Sequence, residues 1–122
     1  MHYTLLFYES PEDFSHRTDP LRQQEYLASW SHYVKALRES GIVVTGSALY
    51  PPETATSLRR QDCEMLVQDG PITETKEQLG GFFMVDAKDL DVAISIAARI
   101  PGARVGAVEI RPVIEISGLP KG

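Results

Sequence analysis

The sequence predicts an α+β fold in which helices cover one face of a single sheet. Three observations carry this. The elements follow the order βα, then β with an inserted hairpin, then βαβ; the strand-like runs are short and rich in β-branched and aromatic residues; and the helical stretches carry apolar stripes. Two right-handed βαβ-type halves on one sheet face give a ferredoxin-like sandwich, here with an inserted β-hairpin.

His2 to Tyr8 gathers aromatic and branched residues and runs into Glu9-Ser10-Pro11-Glu12-Asp13, so a buried strand followed by a loop is expected. Asp19-Pro20 supplies an N-cap and an N1 proline for a helix bearing Leu21, Tyr26, Leu27, Trp30, Tyr33, Val34 and Leu37, and Gly41 ends it. Ile42 to Thr45 is β-branched and leads through Gly46 to Leu49-Tyr50-Pro51-Pro52, a second strand entering a rigid loop. Thr54 to Arg60 and Glu64 to Gln68 form a hairpin around Gln61-Asp62-Cys63, a turn without the favoured Asn-Gly or Asp-Gly pair. Gly81 to Val85 is apolar enough for a strand near the sheet centre. Asp89 caps a helix whose face is Leu90, Ala93, Ile94, Ala97 and Ala98, and Pro101 stops it. Val105 to Ile116 is the last strand, with Pro112 marking an edge or a bulge, and Ser117 to Gly122 is a loose tail.

At 122 residues, with 43% hydrophobic content, one domain over residues 1–122 with a self-sufficient core is expected. Twelve Lys and Arg against seventeen Asp and Glu give a net charge of −5, which disfavours the phosphate attraction behind direct nucleic-acid binding. No apolar run reaches the roughly twenty residues needed to cross a bilayer, and MHYTLLFYESPED lacks a basic leader and a cleavage site. Cys63 is alone, so a reducing cytoplasm is the expected compartment and the thiol reads as a small buried hydrophobe. Strands with few charges leave the outer sheet face bare, and a symmetric homodimer packing sheet on sheet covers it.

The densest chemistry lies in VQDGPITETKEQLGGFF, residues 67–83. Asp69 stands at a strand end, where a carboxylate can take a proton or bind a ligand, and where Asp-Gly-Pro equally serves as a plain turn. Glu74, Lys76 and Glu77 form either a mixed-charge rim, with Lys76 anchoring an acidic substrate, or a solvated loop with an ion pair worth about 0 to 1 kcal/mol. Gly80-Gly81 lacks the pattern of a nucleotide fingerprint and reads as a conformational requirement. Trp30, with Tyr26 and Tyr33, lines a cleft for an aromatic ligand or belongs to the core. Arg111 binds an anion or joins a surface salt bridge. His2, His16 and His32 lack partners at zinc-like spacing, so neither a metal nor another cofactor is expected.

MHYTLLFYES, GSALYPPETATSLRR, DGPITETKEQLGGFFMVDAKDLDVAISIAARIP and GAVEIRPV together resemble a YCII-related protein of the DGPF subgroup, with Ile72 where the subgroup name expects Phe. The resemblance covers nearly the whole chain and implies a dimeric α+β-barrel with a cleft between sheet and helices. It also implies cofactor-free acid/base chemistry, since some YCII members look like small-molecule lyases such as dehydrochlorinases with a His and Asp pair as acid and base. That pair falls at Ser29 and Ile100 here, leaving His32, three residues on along the helix, as the displaced histidine. The reading is therefore a small-molecule-binding protein with His32 and Asp69 as catalytic candidates and Lys76, Glu74, Glu77 and Trp30 as ligand contacts. The alternative is a non-enzymatic regulatory or interaction module, because relatives are encoded beside or fused to extracytoplasmic-function sigma factors.

Overall fold

The computed structural model of the chain describes residues 1–100 and 106–118. Strand β1 (His2–Glu9) buries every second residue, Tyr3, Leu5, Phe7 and Glu9. Successive side chains point to opposite faces of a pleated strand, so this alternation marks one face turned to the helices.

Helix α1 (Pro11–Ser15) stands where the sequence reading expects a loop. The Asp13 amide donates to Ser10 Oγ at 3.3 Å, while the Asp13 carboxylate accepts the Ser10 hydroxyl at 2.9 Å and its amide at 3.4 Å. This is a capping box with Pro11 in the first turn, and Ser-Pro-Glu-Asp is its sequence signal.

Helix α2 (Gln23–Ser40) starts later than Asp19-Pro20 would place it. Asp19 closes a preceding turn instead: its carboxylate accepts the Leu21 amide at 3.0 Å and its carbonyl the Gln23 amide at 2.7 Å. Leu21 is consequently 93% exposed rather than part of the stripe. Gly41 ends the helix as expected.

Strand β2 (Val43–Ala48) and a 3-10 turn at Pro52–Thr54 lead to the hairpin of β3 (Thr56–Gln61) and β4 (Glu64–Asp69). Asp62 and Cys63 both take positive φ, 49° and 64°, the geometry that matches a two-residue turn to the strand twist. Cys63 is exposed, not buried, because the tip of a hairpin projects away from the core.

Strand β5 (Gln78–Asp86), helix α3 (Leu90–Ala97) and strand β6 (Ala107–Pro112) complete the described chain. The Asp89 carboxylate accepts the Val92 amide at 3.0 Å and caps α3 as its sequence implies. The buried face is Ala93, Ile96 and Ala97, with Leu90 and Ile94 half exposed. A nearly continuous apolar run fixes no helical phase; contact with the sheet does. β6 stops at Pro112, short of the expected Ile116, because its partner strand begins at His2, whose carbonyl accepts the Val113 amide at 2.9 Å just beyond the Tyr3–Pro112 pair. The expected roles of Pro101, Val105 and the residues beyond Gly118 lie outside the described residues.

Among the described residues, four strands form an antiparallel sheet in the order β2-β5-β1-β6, and β3-β4 form a separate two-stranded sheet. This is the ferredoxin-like order with an inserted hairpin, and the four-stranded sheet is not closed. β5 is central and β6 is an edge, as the sequence indicates. The core joins Leu5, Phe7, Phe83 and Val85 of the sheet to Tyr33 and Leu37 of α2 and Ala93, Ile96 and Ala97 of α3, so both helices cover the same sheet face. No helix among the described residues is long and apolar enough to cross a membrane.

Candidate functional site

Between α2 and the sheet the core opens into a cleft of about 460 Å³, a size that suits a small organic ligand. Its walls are aromatic and aliphatic: Phe7 from β1, Phe83 from β5, and Leu27, Trp30 and Val34 from α2, with β2 forming the rim. The Trp30 ring centre lies 4.7 Å from that of Phe7 and 6.2 Å from that of Phe83, on which it stacks. Tyr33 meets the Trp30 ring edge-on at 6.3 Å. Such contacts hold an aromatic slot in shape.

One end of the cleft is polar. Arg17 and Tyr26 line it, and Glu9, only 1% exposed, lies behind them. Arg17 Nη2 donates to Glu9 Oε1 and to the Gly80 carbonyl, both at 3.1 Å, its Nε donates to the Tyr26 hydroxyl at 2.8 Å, and its Nη1 donates to the Leu49 carbonyl. The Tyr26 hydroxyl in turn donates to Glu9 at 3.1 Å. Burial pushes the Glu9 carboxyl above its ordinary value, with Arg17 pulling the other way. Burial likewise pushes Tyr26 up to about 12. The phenol therefore remains a donor beside a carboxyl that takes up a proton more readily than an exposed one.

Local sequence explains the placement. The capping box ends β1 and turns the chain so that the Arg17 guanidinium lies 4.6 Å above the Phe14 ring and reaches back to Glu9. Across the sheet, Phe7 pairs with Gly81 and Tyr8 with Leu79, which leaves Gly80 as the extra residue of a β-bulge. Its freed carbonyl accepts both Arg17 and the Leu49 amide. A side chain at Gly80 would come within 3.0 Å of Arg17 Nη2 and 3.2 Å of Glu9 Cδ, so the ion pair packs against bare backbone.

Of the residues singled out from sequence, Trp30 lines the cleft, whereas His32, Asp69, Glu74, Lys76 and Glu77 are exposed and line no part of it. His32 misses because Trp30, Tyr33, Val34 and Leu37 set the inward face of α2. Asp69 ends β4, where Gly70 takes a φ of 100° and bonds to the Ala55 carbonyl at 2.7 Å. The following loop bonds to itself, with the Gln78 side-chain amide donating to the Thr73 carbonyl at 2.7 Å and the Thr75 carbonyl at 3.2 Å. Ser29 is exposed, Ile100 is core, and Arg111 pairs with Glu109 at 3.6 Å on the surface. No cluster of three metal-binding side chains occurs among the described residues.

Sequence reasoning missed Glu9 and Arg17 and took Tyr26 only as an aromatic. Glu9 had a signal: it continues the buried register of Tyr3, Leu5 and Phe7, and a buried carboxylate requires a partner. Arg17 had none.

A family model described as the YCII-related domain matches residues 1–117. An uncharacterised protein of Rhizobium meliloti (strain 1021) is 39% identical over 77 residues, 62% of this chain. The match spans 62% of the length of that curated relative. Among solved structures, 5-chloro-2-hydroxyhydroquinone dehydrochlorinase from Burkholderia phenoliruptrix AC1100, in complex with 2,5-dihydroxybenzoquinone, superposes with a TM-score of 0.55 at 15% identity. The superposition covers 93% of this chain and 94% of that one, and the likeness is one of fold.

Proposed function

The chain belongs to the YCII-related domain family, and we propose that its cleft binds a small aromatic molecule with one polar end. The observation that carries this reading is the pairing of an aromatic slot with a buried Arg17–Glu9 ion pair and the Tyr26 hydroxyl at one end. Apolar walls contribute affinity by burial, and a few fixed polar groups set orientation. The chemistry available is proton transfer without a cofactor: the Tyr26 hydroxyl gives its proton to the ligand and is reprotonated by protonated Glu9, or passes it to ionised Glu9 and takes one from the ligand. Arg17, Tyr26 and Trp30 serve this reading, whereas His32 and Asp69 stand exposed outside the cleft.

Trp30 is the single tryptophan of the chain, so its fluorescence reports on the cleft. Titration with a panel of hydroxylated aromatics, including 2,5-dihydroxybenzoquinone, is expected to quench it saturably. Ala48→Phe, which narrows the rim, is expected to weaken binding by about tenfold or more. A panel that gives no saturable change, or the same change in both proteins, overturns the proposal.

A second copy of the chain is the proposed partner. Leu6 pairs with Phe82 and Thr4 with Met84, and all four point away from the face that α2 and α3 cover. A two-fold packing of these faces would bury the apolar pair and give a dimeric α+β-barrel.

A further inference from the structure

Among the described residues, the polar end of the cleft keeps one donor and one acceptor unused. A guanidinium has five N–H donors, and those of Arg17 go to the Tyr26 hydroxyl, the Leu49 carbonyl, Glu9 and the Gly80 carbonyl, which leaves one Nη1 hydrogen. Tyr26 accepts from Arg17 and donates to Glu9, and its second lone pair is unused. Arg17 is the charged side chain among the lining residues, and its guanidinium is already neutralised by Glu9.

Building on the reading of the cleft as a small-molecule site, we infer that it takes an aromatic monoanion, an aryl carboxylate or a phenolate, seated on the free Arg17 N–H, and that binding draws one proton onto Glu9, which then donates to the Tyr26 oxygen and turns the Tyr26 O–H to the anion. An anion arriving at Arg17 places two negative charges on one cation in a poorly screened site. Protonating one of them relieves the repulsion. Glu9 is the one that takes the proton, because it is the fully buried partner, its ordinary acidity is already weakened by burial, and the ligand retains the open mouth. Arg17 from the turn after α1 and Tyr26 from α2 face Glu9 at hydrogen-bond distance, and Asp13 of α1 adds a further negative charge. Gln78, the residue of β5 paired with Glu9, is uncharged. A neutral ligand creates no such repulsion and takes up no proton.

Titration calorimetry on the full chain, with 3-hydroxybenzoate and neutral 3-hydroxybenzamide in two buffers of different ionisation heat, tests the inference. About one proton is expected to be taken up with each 3-hydroxybenzoate, and none with the amide. Above the raised Glu9 value, where Glu9 is ionised in the free protein, the Kd for the acid should rise about tenfold per pH unit. Glu9→Gln should flatten that slope. If Glu9→Gln does not fold, the proton count on the unaltered protein decides alone. An amide that binds as tightly as the acid, or an acid bound without proton uptake, sinks the inference while leaving the small-molecule reading intact. Failure of both probes, together with a silent panel on Trp30, removes both.

Discussion

Arg17 ties four segments of the chain with one guanidinium: β1 through Glu9, α2 through Tyr26, β5 through the Gly80 carbonyl and the segment after β2 through Leu49. Removing it leaves a buried carboxylate without its cation. Arg17→Met is therefore expected to lower stability to urea by about 3 to 5 kcal/mol, and Glu9→Met in the same chain to restore part of the loss. A loss no larger than that of a surface substitution would show that the pair does not hold the cleft. Glu9 adds a pH dependence of defined sign. Burial holds it above its ordinary value of 4.5, so the folded chain keeps this proton to higher pH than the unfolded chain. Its contribution to folding is complete below 4.5 and fades as pH climbs through the raised value. The unaltered protein should thus lose stability relative to Glu9→Gln as pH rises through that window. A constant difference in urea titrations from roughly pH 4 to roughly pH 8 contradicts the assignment.

Among the elements, the Gly-Gly step of β5 does the most to shape the cleft. A Cβ at Gly81 would collide with the Phe7 ring and the Ser47 carbonyl, groups that form the floor and the rim. Gly81→Ala is expected to destabilise the fold by about 1 to 3 kcal/mol through overpacking, read by chemical denaturation. It should also shift the Trp30 emission, since the Phe7 ring centre lies 4.7 Å from that of Trp30. Unchanged stability and emission would mean that Phe7 yields freely. The glycines were conspicuous in the sequence, yet what they make room for was not, because a bulge exists only once two strands have paired. Helix α3 shows the same limit. Its cap at Asp89 was legible from local chemistry, whereas its buried face was set by the sheet.

For the whole molecule, the sheet has one face under α2 and α3 and the other without either helix. If a second copy covers the outer face, Phe82→Asp should convert the dimer to a monomer in light scattering, because it places a charge directly opposite Leu6. A protein already monomeric before substitution, or a dimer unaffected by it, removes that partner.

Strand order along the chain, the hairpin, the cap of α3 and the family were all readable in the chain, since each depends on residues close together in sequence or on a long colinear pattern. Trp30 was readable as well, for helical periodicity places it on the stripe that faces the sheet. The site itself was decided in three dimensions. Glu9, Arg17 and Tyr26 share no motif and meet only when a strand end, a turn and a helix pack together, while the conspicuous charges of residues 74–77 are left in solvent. Local chemistry specifies elements, but a buried ion pair is specified by what surrounds it, and only packing supplies that.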